Sequence, residues 1–217
     1  MTHRGCFVVL EGPDGAGKST LAAGLSARMQ QQGVVPLAVR EPGGTPVAEA
    51  LRGELLAADR EWSAGAELLY MVTARADLVA KVIRPALAEG RVVLSDRFDL
   101  STMAYQGAGR GLPMEQVRWA NAAATNGLVP DVTLVLDVDH AVGAARRQLA
   151  GKRADRLERE GDGFHDRVAA AYLAASGAGV HHLQGGASPG AVLNAAWQVL
   201  VEARPDIFRP TPVQGVR

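Results

Sequence analysis

The chain has 217 residues, 47% hydrophobic and 21% charged, which supplies a sizeable core and excludes disorder throughout. Lysine plus arginine and aspartate plus glutamate both number 23, so no basic excess points to a nucleic-acid polymer, although a local basic cluster can still hold a small phosphorylated ligand. The single cysteine, Cys6, excludes an intramolecular disulfide and any cysteine-built zinc or iron–sulfur centre.

The apolar stretch Phe7-Val8-Val9-Leu10 is too short for a signal peptide or a membrane span, so the expectation is a cytoplasmic protein without membrane association. Residues 5–10 read as a buried strand. A helix follows over 19–32, with Leu21, Ala22, Leu25 and Met29 at helical spacing and Gly33 just past its end. A second strand is expected at 34–39 and helices at 46–58 and 64–89, the latter kinked or divided by Pro85. Val92-Val93-Leu94 marks a third strand, and Pro113 suits the first turn of a helix over 113–126. A fourth strand is expected at 132–138. Beyond it come a helix, a charged stretch at 150–160, a helix to about residue 176 and a short strand at 180–183. Ser188-Pro189 then caps a last helix that aligns Leu193, Trp197, Leu200 and Val201 on one face. Alternating strands and helices predict a parallel sheet covered on both faces. The proline-bearing residues from 205 to 217 are expected to form an irregular tail.

Gly12-Pro13-Asp14-Gly15-Ala16-Gly17-Lys18-Ser19 matches the G-x-x-x-x-G-K-[ST] phosphate loop, and it lies between the first strand and the first helix, where such a loop must lie. Its glycines let backbone N–H groups converge on phosphate oxygens, and the helix N-terminus adds a favourable dipole. The expected ATP-binding residues are therefore Gly12, Pro13, Asp14, Gly15, Ala16, Gly17, Lys18, Ser19 and Thr20. Lys18 serves the β- and γ-phosphates, and the Ser19 hydroxyl serves Mg²⁺. The absence of an Asn-Lys-x-Asp motif disfavours a GTP switch. Two aspartates end apolar strands: Asp137, read as an ordinary polar strand end, and Asp96, preferred as the metal-side carboxylate because Arg97 follows it with a phosphate-side cation.

The phosphate-loop segment 7–20, Arg40-Glu41-Pro42-Gly43-Gly44-Thr45, Asp96-Arg97-Phe98 and Ala104-Tyr105-Gln106-Gly107 together resemble bacterial thymidylate kinases, in the same order and with similar spacing. Pro130-Asp131 and the apolar run after it is a weaker match. The resemblance implies a P-loop α/β three-layer sandwich with about five parallel strands and a short lid at about 150–160. It implies one kinase domain over 1–204 and a magnesium-assisted, ATP-dependent phosphorylation of dTMP to dTDP. It also implies roles for individual residues. Asp14 would hold the 3′-hydroxyl of the acceptor, Arg97 its α-phosphate, Arg75 and Thr102 the base, and Tyr105 the deoxyribose. Arg40 and Glu41 would border the acceptor phosphate and metal. Homodimers through helices beside the acceptor site are expected as well.

Some members of that family carry an arginine inside the phosphate loop, while others supply arginines from the lid. Gly15 here and the run Lys152-Arg153-Ala154-Asp155-Arg156 fit the second type, so Arg153 and then Arg156 are expected to aid catalysis beside Lys18 and Asp96, with Arg159 open. Arg153, Arg156 and Arg159 recur every three residues, a spacing compatible with one helical face, and the interleaved Asp155, Glu158 and Glu160 are equally compatible with a solvated charged helix. One departure concerns the base: the family usually places phenylalanine four residues before the helix arginine, where this chain has Met71. The residues therefore leave two alternatives: a kinase for another pyrimidine monophosphate, and an ATP-hydrolysing switch module.

Overall fold

The computed structural model describes residues 5–149 and 154–209. Five parallel strands, β1 (Cys6–Glu11), β2 (Leu37–Arg40), β3 (Val92–Asp96), β4 (Val132–Asp137) and β5 (Val180–Gln184), form one sheet in the order β2-β3-β1-β4-β5. Central β1 is buried along its whole length, which explains its unbroken apolar run. Cys6, Val8 and Leu10 pack with Leu94, Leu134 and Leu136 against one helical layer. Phe7 and Val9 pack with Val93 and Phe98 against the other. Strand period thus divides one sequence run between two cores.

On the first side lie α1 (Lys18–Gln31) and α9 (Pro189–Ala203), and on the second α3 (Ala64–Leu78) and its continuation α4 (Arg84–Ala88). α3 and α4 are joined by a π-helical turn at Val79–Ile83, so the helix is divided just before Pro85, which has no N–H for the regular ladder. α2 (Pro46–Leu56) is capped by Thr45, whose hydroxyl accepts from the Ala48 N–H at 3.0 Å. Ser188 caps α9, as its sequence position suggests.

Three segments differ from expectation. After β3 the chain forms a short α5 (Asp99–Thr102) and a π-helical turn at Met103–Gly109, where no helix was read. α6 (Met114–Thr125), α7 (His140–Leu149) and α8 (Asp162–Leu173) follow. The described part of the segment expected to act as a lid, 154–160, is a turn and not a helix. There the Asp155 N–H donates to Glu158 Oε2 at 3.1 Å and the Glu158 N–H to Asp155 Oδ1 at 3.0 Å. Such local side-chain bonds compete with a helical ladder. Arg153 lies outside the described residues. The tail is irregular in backbone but pinned as far as residue 209: Phe208 is buried against Trp197, and the Trp197 indole N–H donates to the Arg209 carbonyl at 3.0 Å.

Candidate active site

The carboxyl ends of β1, β2 and β3 converge, with Leu10 and Arg40 both in register with Asp96. The phosphate loop leaves β1 there. Gly17 enters α1 at φ 102°, a conformation that favours glycine. Gly15 also has positive φ, and a Cβ on it would lie 2.2 Å from the Gly143 carbonyl oxygen of α7. The lid-side helix thus occupies the space a loop arginine would need, a structural reason for glycine at that position.

Lys18 is buried, and its ammonium donates to the Gly12 and Pro13 carbonyls at 2.8 and 2.9 Å. Burial, reinforced by the Arg97 charge, lowers its pKa to about 8. A bound polyphosphate would supply the missing countercharge. The Ser19 hydroxyl donates to Asp96 Oδ2 at 3.3 Å, so the two expected metal residues stand together. Among the described residues no group of three or more His, Cys, Asp or Glu could hold a metal. A pair of hard oxygens beside a phosphate loop nonetheless fits Mg²⁺, which takes few protein ligands and completes its shell with phosphate and water. Asp137, the other strand-end aspartate, is paired with His182 Nδ1 at 2.8 Å.

Asp14 joins the phosphate loop to a second cluster of side chains. Its backbone belongs to the loop, while its carboxylate accepts from Tyr105 Oη at 2.6 Å and ion-pairs with Arg97. Burial alone would raise its pKa, but Arg97 and Lys18 hold it well below the usual carboxylate range. Arg97 is a rare non-glycine residue at positive φ, 75°, held by its N–H on the Leu10 carbonyl at 2.9 Å and by Ser95 Oγ on its own carbonyl at 2.7 Å. Its guanidinium also reaches Ser101 Oγ at 3.1 Å and Tyr172 Oη at 2.9 Å.

Arg75, 1% exposed, donates to Glu41 Oε2 at 2.7 Å, Thr102 Oγ1 at 2.8 Å, Asn121 Oδ1 at 2.5 Å and the Phe98 carbonyl at 2.8 Å. Glu41 Oε1 is buried with no hydrogen-bond partner among the described residues, and burial pushes the Glu41 pKa up to about 7 against the pull of Arg75. Met71 lies one turn before Arg75 and is buried. Arg40 is half-exposed and paired with Glu49 at 3.0 Å, at the rim of this group.

Other contributors went unread in the sequence. Glu11, fully buried, accepts from the Phe98 and Ser101 N–H groups, Ser101 Oγ and Tyr172 Oη. A charge ending an otherwise apolar strand was its signal. Arg147 donates to the Asp14 carbonyl at 2.7 Å and Arg146 to the Gly185 carbonyl at 3.0 Å. Arg146 also lines a cavity of about 360 Å³ with Gly17, Thr20, Leu21 and Pro189, beside the phosphate loop. Arg156, expected to face the phosphates, is bound instead to Glu67 Oε2 at 2.7 Å and the Leu55 carbonyl at 2.9 Å.

Known proteins are similar to this chain in sequence and fold. The family model for thymidylate kinase matches residues 10–193. The thymidylate kinase of Cereibacter sphaeroides is 50% identical over 179 residues, covering 80% of this chain and 82% of the relative. That of Pseudomonas entomophila is 51% identical over 174 residues, with the same coverage. The chain belongs to the thymidylate kinase family. A crystal structure of thymidylate kinase from Ehrlichia chaffeensis superposes with a TM-score of 0.67 at 28% identity, covering 90% of this chain and 98% of that one. Family membership assigns the fold to the P-loop kinases and the enzyme to the nucleoside monophosphate kinases.

Proposed function

We propose that this enzyme transfers the γ-phosphoryl group of ATP to dTMP, giving ADP and dTDP for dTTP synthesis. The observation that carries the reading is the dual position of Asp14, whose backbone lies in the phosphate loop and whose carboxylate sits in the Arg97–Tyr105 cluster. Donor and acceptor pockets built around one residue suit direct in-line transfer, because the protein's task is alignment and charge neutralisation.

The phosphate loop, Gly12 to Thr20, would cradle the ATP phosphates, and the cavity beside Arg146 has room for the nucleoside. Lys18 would move from the loop carbonyls onto the phosphates. Arg97 would hold the dTMP phosphate, Asp14 its 3′-hydroxyl, Tyr105 the sugar, and Arg75, Thr102 and Met71 the base. Glu41 and Arg40 would border the acceptor phosphate and the metal, with Glu41 Oε1 accepting a hydrogen bond there. Ser19 and Asp96 would hold the Mg²⁺ that enters with ATP; it would neutralise phosphate charge. Arg153 is our first candidate for the lid cation, with Arg147 already on the loop. The site lies within one kinase domain, 1–204, and the enzyme would work in the cytoplasm; no helix among the described residues is long and apolar enough to cross a membrane. A homodimer through α3 and α6 is supported by Leu69 and Trp119, 61% and 73% exposed on these neighbouring helices.

The test is product analysis. Mg-ATP and dTMP should give equal amounts of ADP and dTDP, and ADP formed without dTDP would contradict transfer.

A further inference from the structure

Resting on that reading, we propose that Glu67 is a positioning residue that docks the lid turn onto the acceptor-side helices through Arg156 and Arg110, setting the transfer rate without touching either substrate.

Glu67 stands on α3 and is fully buried. A buried carboxylate persists only when charge and hydrogen-bond partners surround it. Here it accepts from Gln106 Nε2 at 2.8 Å, from Arg110 Nε and Nη2 at 3.1 and 3.0 Å, and from Arg156 Nη2 at 2.7 Å. Glu160 reaches Arg110 at 2.7 Å, so two carboxylates balance two guanidiniums. Three elements meet at this one carboxylate: α3, the π-helical turn that bears Gln106, and the lid turn that bears Arg156.

The partners show what is being positioned. Gln106 is adjacent to Tyr105, which donates to Asp14. Arg110 lies over the Phe164 ring at 4.8 Å, and that ring packs edge-on to Tyr105 at 6.1 Å. Arg156 adds a bond from Nε to the Leu55 carbonyl at the end of α2. The lid turn therefore holds to the acceptor side through buried charged contacts, while on its other side Arg147 of α7 touches the Asp14 carbonyl. Lid turn, acceptor-side cluster and phosphate loop are thus linked through direct side-chain contacts. A lid that closes over the reaction must be held in register, both to exclude water and to present its cations.

The test uses full-length Arg156→Ala, Arg156→Lys, Glu67→Gln and the Arg156→Ala/Glu67→Gln double variant. Transfer and acceptor-independent ADP release are measured per folded molecule. Expected are a kcat about tenfold or more below wild type for Arg156→Ala, a KM for dTMP changed less than about threefold, and a raised ratio of ATP hydrolysed to dTDP formed. Arg156→Lys should recover part of kcat. The double variant should be no slower than the slower single one, because both break the same link. A purely structural role would lower the folded fraction and leave kcat and the hydrolysis ratio of the folded enzyme unchanged, and that result overturns the proposal. So do a loss wholly in KM and single effects that multiply. If Glu67→Gln does not fold, the two Arg156 variants decide alone. A wild type that forms no dTDP overturns the functional reading and the proposal with it; an active wild type with unaltered variants overturns the docking role only.

Discussion

The donor and acceptor halves of the site are built by different means. The donor half is one contiguous segment, Gly12 to Thr20, whose hydrogen-bonding capacity lies in the backbone and whose shape is set by glycines and the start of α1. The acceptor half gathers side chains from far apart: Arg75 meets Glu41, Thr102 and Asn121, which are 34, 27 and 46 residues away. A backbone cradle tolerates side-chain change outside its glycines, its lysine, its hydroxyl and Asp14, whose carboxylate joins the acceptor half. A buried charged network does not, because removal of one member strands the others.

The largest expected effect isolates the donor half. Lys18→Ala should lower kcat by about 10³-fold, the loss expected when one preorganised charge at a developing anion is removed. The fold should survive. Lys18's folded pKa of about 8 lies below its ordinary value, so the folded state binds fewer protons between about 8 and the lysine range. The charge costs stability in full below pH 8, and the cost fades as pH rises through that window. At pH 7 and without ligand, thermal melting of Lys18→Ala should therefore occur at or above the wild-type temperature. A large drop would contradict the donor half's independence.

The acceptor half should behave in the opposite way. Arg75→Ala leaves Glu41 and Asn121 without their buried cation and should cost about 3–5 kcal/mol in urea unfolding, together with most dTMP binding. Stability near wild type would break the contrast.

A smaller effect is expected where the halves touch. A Cβ on Gly143 would stand 2.5 Å from the Asp14 carbonyl, so Gly143→Ala must push α7 off the loop. We expect kcat to fall by about tenfold with little change in stability, read by steady-state kinetics and melting. Smallest of all, Met71→Phe should lower the KM for dTMP by about two- to tenfold, the gain expected of a ring stacked on a base. An unchanged KM would remove Met71 from the base pocket.

The same division explains what the sequence revealed. The strands, the cap at Ser188 and the phosphate loop follow local rules, and they were legible. Asp14 and Arg97 could be named from the phosphate loop and the strand end, but their joint role with Tyr105 came only through the family resemblance, since residues 14, 97 and 105 have no local reason to meet. Glu11 and Glu67 were missed because buried carboxylates depend on partners that only the fold supplies. The arginine spacing allowed a shared helical face at 153–159, but the Asp155–Glu158 pair, whose side chains bond to each other's backbone, holds a turn over the described residues there. Arg156 faces Glu67 for a reason no spacing contains: the carboxylate lies 89 residues away.

The most direct measurement is ADP release with Mg-ATP and, separately, dTMP, dUMP, UMP, CMP and no acceptor. The account predicts strong turnover with dTMP, weak turnover with the other monophosphates and almost none without an acceptor. Turnover highest with another monophosphate would contradict the thymine assignment, and release independent of any acceptor would contradict the kinase itself.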